Sequence, residues 1–296
     1  MTYPSNVRTG VDGKNYSPAS APSAPAASHR SMLPSRANSA LKAAATSWFA
    51  VAGLGQLMFV VYLFGFYGRT AIQGQLDAWN QVFPHAHVAG DTMHNTVVAM
   101  HLVFAVLITG GGLLQLMTGI RRWFPRFHRW NGRVYLVSAF VMGLGGLAMV
   151  WTETDVGDLS QHIAISINAG LIMLCAVMVL RHARARRFAL HRRWALRLFL
   201  VVSGVWFFRI GLTFWILMNH GPVGFDPNTF TGPALTTIAF AQYLLPLAIL
   251  QLYFHTQDCA GSRGRTVMAS GLFASTLLTA VGIFAASMML WLPNLR

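Results

Sequence analysis

From His162 to Arg187 the chain reads HIAISINAGLIMLCAVMVLRHARARR. Up to Leu180 it carries no Asp, Glu, Lys or Arg. A helical crossing of the apolar core of a bilayer takes about 20 such residues. The run then stops in a cluster of arginines, as a membrane span does at an anionic leaflet. The same grammar recurs along the chain. Spans fall near Ala43–Phe66, Thr96–Thr118, Gly132–Trp151, His162–Leu180, Leu196–Met218, Pro233–Phe254 and Thr266–Leu292. A mean hydropathy of +0.49 agrees. With 54% apolar and only 10% charged residues, an ordinary soluble domain is excluded. The expected fold class is an all-α integral membrane protein with seven transmembrane helices.

Charge sets the expected orientation. With the N-terminus in the cytoplasm, the basic residues of the tail to Lys42 fall inside, as do those of the loops Arg121–Arg133, Arg181–Arg197 and Arg263–Arg265. Of the 22 Lys and Arg, only Arg69, Arg209 and Arg296 fall elsewhere. Asp77, Asp91, Glu153, Asp155, Asp158 and Asp226 lie on the other side. The Lys/Arg bias therefore predicts N-in and C-out. The pI of about 11.2 reads as a topology signal, and its expected partner is the lipid bilayer, not nucleic acid. Arginine's large excess over lysine is compositionally bacterial, which points to the cell inner membrane.

Residues 1–42, rich in Pro, Ala and Ser, read as a disordered cytoplasmic tail ahead of a transmembrane domain over residues 43–292. The tail has no apolar core of a cleavable signal, so the first span serves as the insertion signal. Cys175 falls in a span and Cys259 in an inner loop, which disfavours a disulfide between them.

Four histidines form two pairs. His101 and His162 open two spans that run in the same direction. His128 and His191 stand at the opposite face, inside the phrases His128-Arg129-Trp130-Asn131-Gly132-Arg133 and His191-Arg192-Arg193-Trp194. Spans two to five thus read as two similar hairpins around a pseudo-two-fold axis along the membrane normal, a four-helix core over residues 96–218. Small residues at Gly132, Ala139, Gly143 and Gly146 form a stripe that lets helices, or a flat macrocycle, approach closely. Continuing 3.6 residues per turn, His191, Ala195, Val202 and Arg209 share a face of span five.

Paired imidazoles at matched depth are what a membrane haem requires, and also what an internal duplication leaves behind. For the inner pair the alternative is a membrane anchor, with Arg at lipid phosphates and Trp in the aromatic belt. An ionisable residue inside a span is a functional hypothesis by default. Arg209 is the costliest, at about 2.5–3.5 kcal/mol unless paired. A haem propionate, a quinone carbonyl, a substrate carboxylate or a backbone carbonyl would pair it. In the outer loop, His85, His87 and His94 with Asp91 form a weak copper or zinc motif. No nucleophile–base constellation or phosphate loop is present.

From His101 to about Leu217 the chain resembles a bacterial family of predicted membrane proteins, domain of unknown function 2306. The carriers are His101, Gly110-Gly111-Gly112 with Gln115, Arg126-Phe127-His128-Arg129-Trp130-Asn131-Gly132-Arg133-Val134-Tyr135, His191-Arg192-Arg193-Trp194 to Arg197, and Arg209. That resemblance implies a fold and no activity. A weaker one links the order His101, His128, His162, His191, and the phrase His128-x-Trp130-x-Gly132, to the transmembrane di-haem cytochromes b that accept electrons from ascorbate. It implies haem b held by spans two with four and three with five. Here His128 and His191 sit among arginines at the membrane edge, which is a departure from that pattern.

The leading expectation is a b-type cytochrome-like electron carrier whose cofactor-binding residues are His101, His162, His128, His191 and Arg209, exchanging electrons with a quinone or another redox protein. The alternative is a non-redox multi-pass protein with a His/Arg-lined cavity, either a small-solute transporter or an accessory subunit of a membrane complex. A purely structural partner within a larger complex is a third, and a homo-oligomer is compatible with each.

Overall fold

A computed structural model describes residues 36–82, 86–152 and 157–295. The helices follow in the order α1 (Arg36–Leu63), α2 (Arg69–Ile72), α3 (Thr92–Leu116), α4 (Thr118–Trp123), α5 (Pro125–Thr152), α6 (Leu159–Arg184), α7 (Phe188–Val202), α8 (Gly204–Asn219), α9 (Pro233–Cys259) and α10 (Ser262–Ala286). A π-turn, Phe64–Gly68, carries α1 into α2, and another, Ser287–Trp291, extends α10. Among the described residues there is no strand, only one isolated bridge between Asp226 and Thr231.

Six helices are individually long and apolar enough to cross a membrane, and the bent pair α7–α8 makes up to seven. Large apolar side chains cover the outside: Val267 is 72% and Leu277 67% exposed. Water would not tolerate so much apolar surface, whereas lipid tails do. The molecule is an all-α multi-pass membrane protein.

Local signals account for the helix ends. Asp91 caps α3 by accepting the His94 backbone N–H at 2.9 Å. Asp158 caps α6 through Gln161 N–H, also at 2.9 Å. Each removes an orphan donor from a first turn. Pro233 opens α9, where its missing N–H costs nothing. The first helix starts at Arg36, earlier than the Ala43 expected from hydropathy, so residues 36–42 of the expected tail are helical. Residues 1–35 lie outside the described residues.

Spans two to five lie in a ring. Helix α3 lies beside α5, α5 beside α6, and α6 beside α7, while α7 touches α3. Around this ring, α1 and α10 pack along each other, α10 also meets α8, and α9 covers α6, α7 and α8. Close approach at the α1–α10–α8 junction depends on glycine. A Cβ at Gly282 would come within 2.9 Å of the Ile210 carbonyl oxygen, and one at Gly55 within 2.9 Å of the Trp206 ring.

Span five is not a straight helix but bends by 50° between α7 and α8, at Ser203-Gly204. Such Ser/Gly pairs are where helices kink, because little side-chain bulk opposes it. A single straight face from His191 to Arg209 therefore does not exist. His191 faces α6, and Arg209 faces α1 and α3.

Candidate functional site

At the arginine-rich end, the last turn of α3 meets the first turns of α5. The Asn131 side-chain amide donates to the Gly111 carbonyl at 2.9 Å and to Gln115 Oε1 at 3.0 Å. Gln115 in turn lies 3.4 Å from His128, nitrogen to nitrogen. A Cβ at Gly132 would stand 2.7 Å from the Gln115 amide nitrogen and would displace that side chain. His128 is within electrostatic range of His191, Arg121 and Arg129.

The two imidazoles are set differently. His191 Nδ1 lies 3.1 Å from the Val179 carbonyl oxygen of α6. If Nδ1 carries the proton, as that contact favours, Nε2 is left with its lone pair, the tautomer that metal-ligating histidines use. His128 Nδ1 is sealed from solvent and has no hydrogen-bond partner among the described residues. An orphaned buried ring nitrogen within electrostatic range of a second imidazole is a polar inventory that an imidazole-ligated group would satisfy. The Tyr135 hydroxyl close by is likewise buried and unpartnered.

At the other end, His101 and His162 are drawn to different neighbours. His162 stands edge-on to Trp151, ring centroids 5.9 Å apart. Trp151 donates to Ser166 Oγ at 3.1 Å, and Ser166 Oγ donates to the His162 carbonyl at 2.8 Å. His101 lies within electrostatic range of Arg209. The Arg209 guanidinium sits over the Phe59 ring, 5.3 Å from its centroid, and within electrostatic range of the Tyr62 and Tyr67 phenols. Sequence reading missed these α1 residues. Aromatic residues in a span read as packing, and α1 lies outside the four-helix core read over residues 96–218.

Above this site the loop between α2 and α3 is stitched down. Trp79, only 4% exposed, donates its indole N–H to Thr70 Oγ1 at 2.8 Å and packs edge-on to Tyr67. His87 Nδ1 lies 2.6 Å from Asp77, and its backbone N–H reaches Asn80 Oδ1 at 2.8 Å. His94 belongs to the capped first turn of α3. Of the expected metal motif, His85 lies outside the described residues. Among the described residues no three His, Cys, Asp or Glu come together as a metal-binding group.

A second feature invisible in the sequence lies deeper. Gln56 of α1 donates to Ser203 Oγ at 2.9 Å, at the helix break, and the Asn168 and Gln242 side chains flank Gly204. Gln56 Oε1 and Asn168 Oδ1 are buried acceptors with no partner among the described residues.

A ring of apolar-coated helices with polar clusters at both ends and at a mid-span break defines a multi-pass membrane protein. The chain belongs to the family described as predicted membrane protein (DUF2306), whose model matches residues 98–245. The match covers the ring helices, both His-Arg phrases and Arg209, and it extends into α9. No curated protein and no solved structure matches the chain.

Proposed function

We propose that this protein is a b-type cytochrome-like electron carrier of the bacterial inner membrane, with its N-terminus in the cytoplasm. The observation that carries the reading is that His128 and His191 lie within electrostatic range at one end of the bundle, one imidazole oriented by the Val179 carbonyl and the other with an orphaned buried nitrogen. These two residues would hold one haem b, and His101 with His162 a second. Haem bound there would supply reversible one-electron chemistry inside the dry bundle. The chain's own part is to orient the rings: Asn131 and Gln115 tie α3 to α5 beside His128. A quinone or another redox protein would be the exchange partner, and a homo-oligomer or a larger complex the setting.

The alternative is a non-redox multi-pass protein, a small-solute transporter or an accessory subunit, with a His/Arg-lined cavity. Arg209 within electrostatic range of His101 favours that reading. The decisive experiment is the visible spectrum of the full chain, purified after expression with haem supplied, oxidised and then reduced with dithionite. A sharp reduced α-band, lost by about half in folded His128→Ala and His191→Ala, supports the electron carrier with two haems. A colourless folded protein refutes it.

A further inference from the structure

Arg69 is exposed at the end of the bundle opposite the arginine-rich loops. Among the described residues its side chain makes no hydrogen bond and no ion pair. The described acids at this end are each engaged elsewhere. Asp77 lies 2.6 Å from His87, Asp91 and Asp158 cap helices, and Asp226 accepts the Asn228 N–H. Helix length fixes the depth of this unanswered charge. Arg265 donates to Asn38, so α1 begins at the arginine-rich end. Lys42 and Arg69 are 27 residues apart on the one span that α1, the π-turn and α2 form together. At 1.5 Å per residue that is about 40 Å, the separation of the two headgroup layers of a bilayer. Arg69 therefore stands at headgroup level in the leaflet away from the arginine-rich loops.

A shallow groove of about 470 Å³ opens beside it, lined by Phe64, Gly68, Arg69, Ile72 and Gln73. Phe64 is 64% and Ile72 89% exposed. Gly68 lies between them with helical dihedrals and no side chain, which leaves the floor of the groove bare. From Phe64 to Ile72 the apolar strip runs about 12 Å at helical rise. Beside it stand a guanidinium and the side-chain amide of Gln73. Arginine's planar fork matches the paired oxygens of a phosphate, and its long stem lets the head reach the interface. A free phosphate ion would answer the charge and leave the strip uncovered. A zwitterionic lipid would cover the strip and bring its own cation to the phosphate. An anionic phospholipid answers both.

We infer that the groove at Arg69 is a binding site for one anionic phospholipid of the leaflet away from the arginine-rich loops. The phosphate sits on the Arg69 guanidinium, the Gln73 amide donates to the glycerol ester oxygens, and an acyl chain lies over Gly68 between Phe64 and Ile72. Helix α2 leads directly into the loop that Trp79 ties down to Thr70, so the lipid steadies the exit of α1 and the start of that loop. The site is separate from the histidine pairs and stands whether or not the protein carries electrons.

The full chain, purified in detergent and stripped of lipid, is titrated with phosphatidylglycerol, phosphatidylcholine or inorganic phosphate. The readout is local hydrogen exchange over residues 69–75, with the arginine-rich loops as an internal reference for lipid bound elsewhere. Phosphatidylglycerol is expected to slow exchange there severalfold, and the other two are not. Arg69→Gln should abolish that slowing and leave the response of the arginine-rich loops unchanged. Gly68→Leu fills the groove and should abolish it as well. A Cβ at this position meets only the Phe64 ring, at 3.7 Å, an ordinary contact, so the variant is expected to fold. It decides the matter if Arg69→Gln does not. Equal slowing by phosphatidylcholine would reduce the groove to an ordinary lipid-facing surface. Equal slowing by phosphate alone would make the ligand a free anion. Either result overturns the site, as would folded variants that respond as the wild type does.

Discussion

Gln56 of the first helix donates a hydrogen bond of 2.9 Å to Ser203 Oγ, at the point where the fifth span breaks. Both residues are buried, at 1% and 8% exposure, so the bond ties the bend to α1 where no water competes. Ser203→Ala should cost about 1 kcal/mol, the usual worth of one such bond between membrane helices. Gly204→Ala should cost more, because its new Cβ would lie 2.9 Å from the Asn168 amide nitrogen. Unfolding titrations in mixed micelles check both. A stabilised Gly204→Ala protein would contradict the packing described at the bend.

The arginine-rich end contains a clamp between α7 and α9. Arg193 bonds Asp258 at 2.5 Å and stacks on Phe254 at 4.9 Å, while Arg197 reaches Gln251 at 2.7 Å and covers the same ring at 5.2 Å. The ion pair is solvent-exposed, so Asp258→Asn should cost under about 1 kcal/mol and the difference should fade in high salt. Phe254, 3% exposed, is the structural centre, and Phe254→Ala should cost about 3 kcal/mol. Equal losses in the two variants, measured by thermal unfolding, would overturn that ranking.

Asp158 gives the opposite end a pH dependence. The hydroxyl of Ser160, 2.5 Å away, and the Gln161 N–H hold its carboxyl below the usual carboxylate range. A depressed folded value means the cap contributes fully above the unfolded value, about 4, and is lost as pH falls through the folded value. Hydrogen exchange in the first turn of α6 should therefore gain protection loss below about pH 4 beyond the intrinsic rate change. Asp158→Asn keeps a capping oxygen and should flatten that response. A wild-type profile identical to that of Asp158→Asn would remove the carboxylate from the cap.

Orientation is checked by reporter fusions. The Lys/Arg distribution predicts that a reporter joined after Ala260 is cytoplasmic and one joined after Gly224 is external. The opposite pattern at both sites would invert the topology.

The order of the helices, the helical class and both His-Arg phrases were legible from sequence, because hydropathy and charge act locally. The stripe on α5 was legible only in part. Gly132 meets Gln115 of α3 and Gly143 meets Met173 of α6, while a Cβ at Gly146 would meet nothing. Residues evenly spaced on one helix thus serve different neighbours. The register of span five misled for a related reason: periodicity assumes a straight axis, and the break at Ser203-Gly204 rotates everything after it.

By itself the sequence determined that this is a multi-pass helical membrane protein, where its spans lie, and which ionisable residues are buried at a cost. Bilayer thickness and the energetics of charge in lipid leave a chain of this composition few other solutions. Tertiary structure alone decided which of those residues meet. It set His128 within electrostatic range of His191, turned His162 to Trp151, and placed the Arg209 guanidinium over the Phe59 ring of α1. Those pairings depend on helix rotation and on one bend, and both follow from side-chain packing between distant segments, which no local pattern encodes.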